Sequence, residues 1–220
     1  MVKTLCSLGM SLLFASCSAV KIVDKPIRFD EERVQLSLDY MQDRYGISQE
    51  DAVIHPEMVV VHWTEIPDFE KSFNAFYDNR LPNWRPDLKN AGPLNVSAQF
   101  LVDRDGTTYR LMPENNMARH VIGLNHCAIG IENVGGTEET PLTNEQLKAN
   151  IRLIKYLKKK YPAIRFVIGH YEYTLFEDNP LWLEKDITYR TEKTDPGVEF
   201  MTGIRKKTKK YNWEPIPQKK

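Results

Sequence analysis

The sequence predicts an α/β fold: a single domain with a central mixed β-sheet flanked by helices. Met58-Val59-Val60-Val61 is a short, unbroken apolar run rich in valine that ends at His62. Such a run reads as a strand buried on both faces. Ile164-Arg165-Phe166-Val167-Ile168-Gly169-His170 repeats the plan. Before it, Thr143-Asn144-Glu145-Gln146 has the form of a capping box, followed by Leu147, Ile151, Ile154, Leu157 and Tyr161 on one helical face. Strands that interleave with helices in this way place both in one layered domain.

At 220 residues the chain is long enough for one ordinary core plus extensions. It is 41% hydrophobic and 27% charged, with a formal net charge of zero, so composition gives no footprint for nucleic acid. Residues 1–19 read as a secretory signal: Lys3, then an apolar stretch over 5–14, then small residues. That stretch is shorter than the roughly 20 apolar residues of a membrane span. Phe14-Ala15-Ser16-Cys17 resembles a bacterial lipobox, with Cys17 as the lipidated first residue of the mature chain. Cleavage after Ala19 is the alternative. Either way Cys127 is left without a disulfide partner and reads as core packing.

Residues 20–50 read as a tether over 20–29 followed by a helix over 30–45. Asp30 caps that helix, Val34, Leu38, Met41 and Tyr45 form its apolar face, and Gly46 stops it. After the valine strand, Pro67 and Asp68 open a second helix carrying Phe69, Phe73 and Phe76. Residues 79–95, with Trp84, read as an irregular loop. Residues 97–102 and 107–112 flank Asp105-Gly106, a hairpin signal. Residues 127–134 read as another buried strand bearing Glu132 near its end and broken by Gly135-Gly136. Lys158, Lys159 and Lys160 complement the dipole of the long helix, which Pro162 ends. The domain proper is expected over 51–205. Residues 206–220 form a basic tail, read as a solvated end or as an attraction to an anionic polymer such as a cell wall.

His62 and His170 each end a buried-type strand, where an unpaired polar ring is costly. Asp195 sits in the turn Lys193-Thr194-Asp195-Pro196-Gly197. Two imidazoles and a carboxylate are a usual ligand set for a catalytic zinc. Glu132 at a strand end fits a general base, and Lys193 an oxyanion partner. From the residues alone, each group also fits an ordinary place: packed histidines, a solvated strand-end glutamate, a surface lysine.

Together these segments resemble the zinc-dependent N-acetylmuramoyl-L-alanine amidases of the type-2 class, which share their fold with the peptidoglycan recognition proteins. The resemblance runs over residues 58–205. Val60-Val61-His62-Trp63-Thr64 is similar to the first ligand segment, Ile129-Gly130-Ile131-Glu132-Asn133 to the catalytic-carboxylate strand, and Ile168-Gly169-His170 to the second ligand. Ala118-Arg119-His120 is similar to the groove-histidine segment, and Lys193-Thr194-Asp195-Pro196-Gly197 to the lysine-and-third-ligand signature. Gln99 stands where many members have histidine, and residues 175–192 lengthen the interval between His170 and Asp195. That insertion either forms a substrate-selecting lip or packs Trp182 and Leu183 on the body.

The resemblance implies hydrolysis of the amide between N-acetylmuramic acid and L-alanine in peptidoglycan or muropeptides. Zn2+ would sit on His62, His170 and Asp195, with Glu132 and Lys193 catalytic and His120 contacting substrate or orienting the site. The signal-like residues 1–19 give an expected exported protein facing the periplasm or cell wall, attached to the membrane only through lipid on Cys17, with a soluble periplasmic or secreted protein as the alternative, and a monomer is expected. A non-catalytic peptidoglycan-binding module of the same fold is the competing class, and a zinc peptidase of another exported amide a third.

Overall fold

The computed structural model describes residues 20–83, 88 and 91–218. The expected signal with Cys17, and Trp84 of the 79–95 loop, lie outside the described residues. A six-stranded sheet runs in the order β1-β4-β3-β5-β2-β6, with β1 at Ile22–Asp24, β2 at Met58–Val61, β3 at Phe100–Val102, β4 at Thr108–Arg110, β5 at Ala128–Asn133 and β6 at Phe166–Gly169. Only β3 and β4 pair antiparallel, around the Asp105-Gly106 turn, and every other pairing is parallel. Every residue of β2 is buried, because β5 and β6 occupy its two edges and helices cover its faces.

The helices begin and end where capping chemistry places them. Asp30 caps α1 (Glu31–Tyr45) through the Arg33 N–H, and Gly46, at φ 72°, closes it in the left-handed region that glycine enters freely. Asp68 caps α2 (Phe69–Tyr77). Thr143 and Gln146 exchange both bonds of a capping box at the start of α3 (Asn144–Lys160), and α4 spans Val198–Thr208.

Two helix faces differ from the apolar stripes expected. In α1 the buried side is Arg33, Leu36, Ser37, Tyr40, Met41 and Tyr45, while Val34 and Leu38 are only half-buried. In α3 it includes Gln146 and Asn150, while Leu147 and Ile151 are half-buried. Each buried polar group there has a specific partner. Arg33 donates to Asn79 Oδ1 and to the carbonyls of Phe76, Tyr77 and Asp78, tying α1 to the end of α2. Gln146 Nε2 donates to the carbonyls of Val102 and Val134.

The tether expected over 20–29 is instead part of the fold. Residues 22–24 form an edge strand paired with β4, and Ile27 is buried. The helix of 31–45 shares the main core with 58–61 and 166–168. The basic tail is also anchored: α4 continues to Thr208, and the Trp213 indole N–H donates to Thr208 Oγ1. Cys127 is buried as expected, and burial pushes its thiol pKa up. Gln99 is fully buried, accepting from the Gly130 N–H and donating to the Asn116 carbonyl, a pairing beneath the sheet surface.

Gln146→Leu keeps helix propensity and apolar volume but removes the side-chain donor to the buried Val134 carbonyl and one of the two donors to that of Val102. The expected loss is about 1–3 kcal/mol, read as a lower urea midpoint with unchanged slope. A loss below about 0.5 kcal/mol, the ordinary surface range, would show that the bridge does not hold α3 to the sheet.

Candidate metal centre and substrate groove

The site follows from strand register. Val61 of β2 lies opposite Ile131 of β5 and Gly169 of β6. One residue further on, the chain carries His62, Glu132 and His170 respectively. Equivalent positions on adjacent parallel strands present side chains to the same face. Three polar groups therefore stand in one row at the carboxyl end of the sheet, where open α/β sheets bind ligands. The His62 N–H donates to the Ile131 carbonyl at 2.8 Å, carrying the ladder one step past β2.

Asp195 arrives from the turn before α4, held by a bond from the Tyr171 N–H to its carbonyl. His62 Nδ1, His170 Nδ1 and Asp195 Oδ2 converge, with separations of 3.0 Å between the two imidazoles and 3.1 Å from each to the carboxylate. All three residues are buried.

The hydrogen bonds around His62 define its tautomer. His120 Nε2 lies 3.1 Å from the Ala128 carbonyl, which can only accept, so that nitrogen carries the proton. His120 Nδ1 is then an acceptor, 3.0 Å from His62 Nε2, which must be the N–H. His62 Nδ1 consequently turns a lone pair toward Asp195 Oδ2, also an acceptor, at 3.1 Å. An acceptor–acceptor contact at that distance is repulsive unless a proton or a metal cation lies between. Donors around a four-coordinate zinc stand about 3.3 Å apart when bonded at about 2.0–2.2 Å. The donor set therefore fits a small divalent cation.

Electrostatics point the same way. Burial first, and then the neighbouring His62, lower the His170 pKa to about 4. The same two causes hold His120 well below its ordinary value. Burial alone would raise Asp195, but the facing His170 and His62 outweigh it and hold the carboxyl below the usual carboxylate range. At neutral pH His170 is thus a neutral imidazole and Asp195 an ionised carboxylate, forms that bind metal.

Support comes from residues that carry no sequence signal. Asn133 Nδ2 donates to the His62 carbonyl, and Asn150 in turn donates to Asn133 Oδ1. Glu172 accepts from the Gly169 N–H and from Arg205, holding the turn that starts at His170. Asn125 Oδ1 accepts from the His120 and Val121 N–H groups. Gly130 gives His120 its space: a Cβ there would lie 2.9 Å from the imidazole Cγ.

The trio opens into a cavity of about 370 Å³. Glu132 (8% exposed), Lys193 and His120 line it together with the three ligand candidates, so all six residues singled out in the sequence around the metal share one site. Both ring nitrogens of His120 are engaged by protein atoms, one by His62 Nε2 and the other by the Ala128 carbonyl. Residues 175–192 pack on the body and also reach the cavity. Trp182 stacks on Tyr173 and Leu183 packs on the core, while Tyr189, Thr191 and Glu192 line the cavity.

The depressed His170 pKa has a definite consequence for the metal-free protein. An ordinary histidine takes up its proton near 6.5, so below that pH the unfolded chain binds a proton the fold refuses. Stability is expected to be full above about pH 6.5 and to fall as pH drops toward about 4. Thermal melts of chelator-treated protein should show this slope, and His170→Asn should flatten it. An unchanged slope in that variant would place the linkage elsewhere.

Comparison with known proteins agrees with this geometry. The N-acetylmuramoyl-L-alanine amidase family matches residues 52–198. The chain is 29% identical over 158 residues to the 1,6-anhydro-N-acetylmuramyl-L-alanine amidase AmpD of Enterobacter cloacae, spanning 66% of this chain and 76% of that protein. The solved N-acetylmuramoyl-L-alanine amidase LysC from Clostridium intestinale URNW is similar at a TM-score of 0.50 and 23% identity, over 88% of this chain and 99% of that one. Bumblebee PGRP-SA is similar at a TM-score of 0.52 and 21% identity, over 90% and 99%. At these identities the two solved structures speak to the fold alone, whereas the family match covers most of the sheet and every residue of the convergent trio. The chain belongs to the N-acetylmuramoyl-L-alanine amidase family, and it is an enzyme of that class.

Proposed function

We propose that the protein hydrolyses the amide between the lactyl group of N-acetylmuramic acid and L-alanine in peptidoglycan or its fragments, with one zinc ion held by His62, His170 and Asp195. The observation that carries this reading is the convergence of two imidazole nitrogens and a carboxylate oxygen within 3.1 Å, in a cavity that Glu132 and Lys193 also line. Zinc at this position supplies Lewis acidity toward the scissile carbonyl and lowers the pKa of water it binds from about 15.7 to roughly 7.

The chain's own groups do the rest. Glu132, one step along the strand row from His62, accepts the proton that the attacking water gives up and returns one to the alanine nitrogen as the C–N bond breaks. Lys193 brings positive charge to the carbonyl oxygen as that oxygen becomes negative. His120 keeps the His62 lone pair aimed at the ligand position, the role of an outer-shell partner. Burial of the trio strengthens each of these interactions.

For location, we carry forward an exported protein anchored by lipid on Cys17, a monomer acting on the wall side of the membrane. The signal-like residues 1–19 support this reading, and no helix among the described residues is long and apolar enough to cross a membrane.

Elemental analysis is expected to find one zinc per chain, lost in His62→Ala, His170→Ala and Asp195→Ala; a full complement in any of these would remove that residue from the ligand set. Glu132→Gln and Lys193→Ala should keep the metal while kcat falls about 10²–10⁴-fold for the first and roughly 10²–10³-fold for the second. Release of stem peptides from purified peptidoglycan, followed by mass spectrometry, reads both. Equal release by wild type and Glu132→Gln would discard Glu132 as the base, and binding without any release would favour a recognition module. For the anchor, Cys17→Ser should free the protein from membranes, whereas a mature N-terminus at Val20 would exclude lipidation.

A further inference from the structure

His120 is held from behind by a helix that the family match does not include. It lies in a bend where neither its own backbone N–H nor that of Val121 meets a carbonyl among the described residues. Both donate instead to one atom, Asn125 Oδ1, each at 2.8 Å. That arrangement fixes the amide. Its oxygen faces two donors, so Nδ2 points the other way, to the Tyr45 hydroxyl oxygen at 2.9 Å. Asn125 is 0% exposed and Tyr45 is buried, so this phenol oxygen supplies the acceptor that a buried amide N–H requires. An amide turned over would set its NH2 against two N–H groups.

Tyr45 is the last residue of α1 and lies outside the matched residues 52–198. Its ring packs edge-on against Tyr40 and His126, with centroids 5.6 and 5.4 Å away. The same helix end is fastened by Lys185, which donates to the carbonyls of Gln42 and Asp43. On the other side of His120, the Arg119 N–H donates to Ser97 Oγ and the Arg119 carbonyl accepts from the Ser97 N–H. The His120 backbone is therefore clamped between Ser97 and Asn125. Its ring has little latitude, because Gly130 lies against it and both nitrogens are bonded, Nδ1 to His62 Nε2 at 3.0 Å. A displaced His120 backbone moves the atom that holds the His62 ring.

We propose that Tyr45 is a positioning residue for this site: its hydroxyl holds Asn125, and Asn125 holds His120 where it sets the His62 ring. His120 and Asn125 line the cavity, whereas Tyr45 is not among the lining residues and acts only through them. The effect on hydrolysis rests on the amidase reading. The effect on the metal position and on the His120 tautomer rests on the hydrogen-bond chain alone. The N-terminal helix is thus part of the machinery that keeps the ligand position in order.

Tyr45→Phe in the full chain keeps the ring and removes the acceptor. Tyr156→Phe is the matched control: it removes a phenol bond to Glu114 Oε1 at 3.1 Å, and neither residue lines the cavity. The readings are zinc Kd by chelator competition, ring-nitrogen chemical shifts of His120 in metal-free protein, and kcat and KM for N-acetylmuramyl-L-alanyl-D-glutamate. Tyr45→Phe should raise the zinc Kd about three- to tenfold, short of the roughly 10–100-fold cost of losing a direct outer-shell partner. In metal-free protein the His120 shifts should move from those of one Nε2–H tautomer toward those of a mixture. The fall in kcat should be similar in size to the change in zinc Kd, with KM changed by less than about twofold. Tyr156→Phe should match wild type in every reading. A Tyr45→Phe protein with wild-type zinc Kd and His120 shifts would overturn the proposal. Equal changes in Tyr156→Phe would do the same, since they would trace the effect to lost stability. If Tyr45→Phe does not fold, Asn125→Asp decides: its second oxygen can accept from the Tyr45 O–H, so the Nε2–H tautomer should survive, and its loss would count against the proposal. No hydrolysis by wild type would sink the amidase reading, while zinc Kd and the His120 shifts would still decide the role of Tyr45.

Discussion

Parallel register between β5, β2 and β6 is the constraint on which the site depends. Backbone pairing of Val61 with Ile131 and with Gly169 leaves the next residue of each strand in one row. Those residues are His62, Glu132 and His170. A slip of one residue in any strand would turn its polar group to the opposite face and bury it against helices. The apolar run in β2 resists such a slip, since all four of its side chains are fully buried and the run ends abruptly at a histidine. Gln146 and Asn150 reinforce the register from α3 by bonding to the strand-end carbonyls and to Asn133.

Desolvation then gives that row its chemistry. In water, imidazoles and a carboxylate a few ångströms apart would be screened and partly protonated. Burial lowers the His170 pKa to about 4, and the paired histidines keep Asp195 ionised. The chain of Ala128 carbonyl, His120 and His62 assigns one proton per ring and leaves a lone pair facing inward. Preorganisation of this kind means that no side chain has to turn when the ligand position is filled.

The N-terminal helix, outside the family match, and the 175–192 segment within it together shape the groove. Lys185 bonds to the carbonyls of Gln42 and Asp43, and Arg44 pairs with Glu184, so the end of α1 and the insertion form one unit. Arg119 connects that unit to the carbonyls of Leu88 and Gly92, beside His120. The cavity wall opposite the trio is thus tied to the same short stretch that carries His120.

The sequence by itself determined the strand that ends at His62, the helix starts at Asp30, Asp68 and Thr143, the Asp105-Gly106 turn and the six residues gathered at the site. These are readable because capping, turn formation and apolar runs depend on residues within a few positions of each other. The resemblance to the amidase class then linked segments that local pattern could not. Only the tertiary structure decided that residues 22–24 join the sheet, that α1 buries Arg33 rather than Val34, that Gln99 pairs beneath the sheet, and that Arg119 lies in the groove wall. Each of these turns on a partner distant in sequence: Arg110 for the edge strand, Asn79 for Arg33, Gly130 for Gln99 and Tyr189 for Arg119. A buried polar side chain is stable only where such a partner waits, and the partner is supplied by the fold.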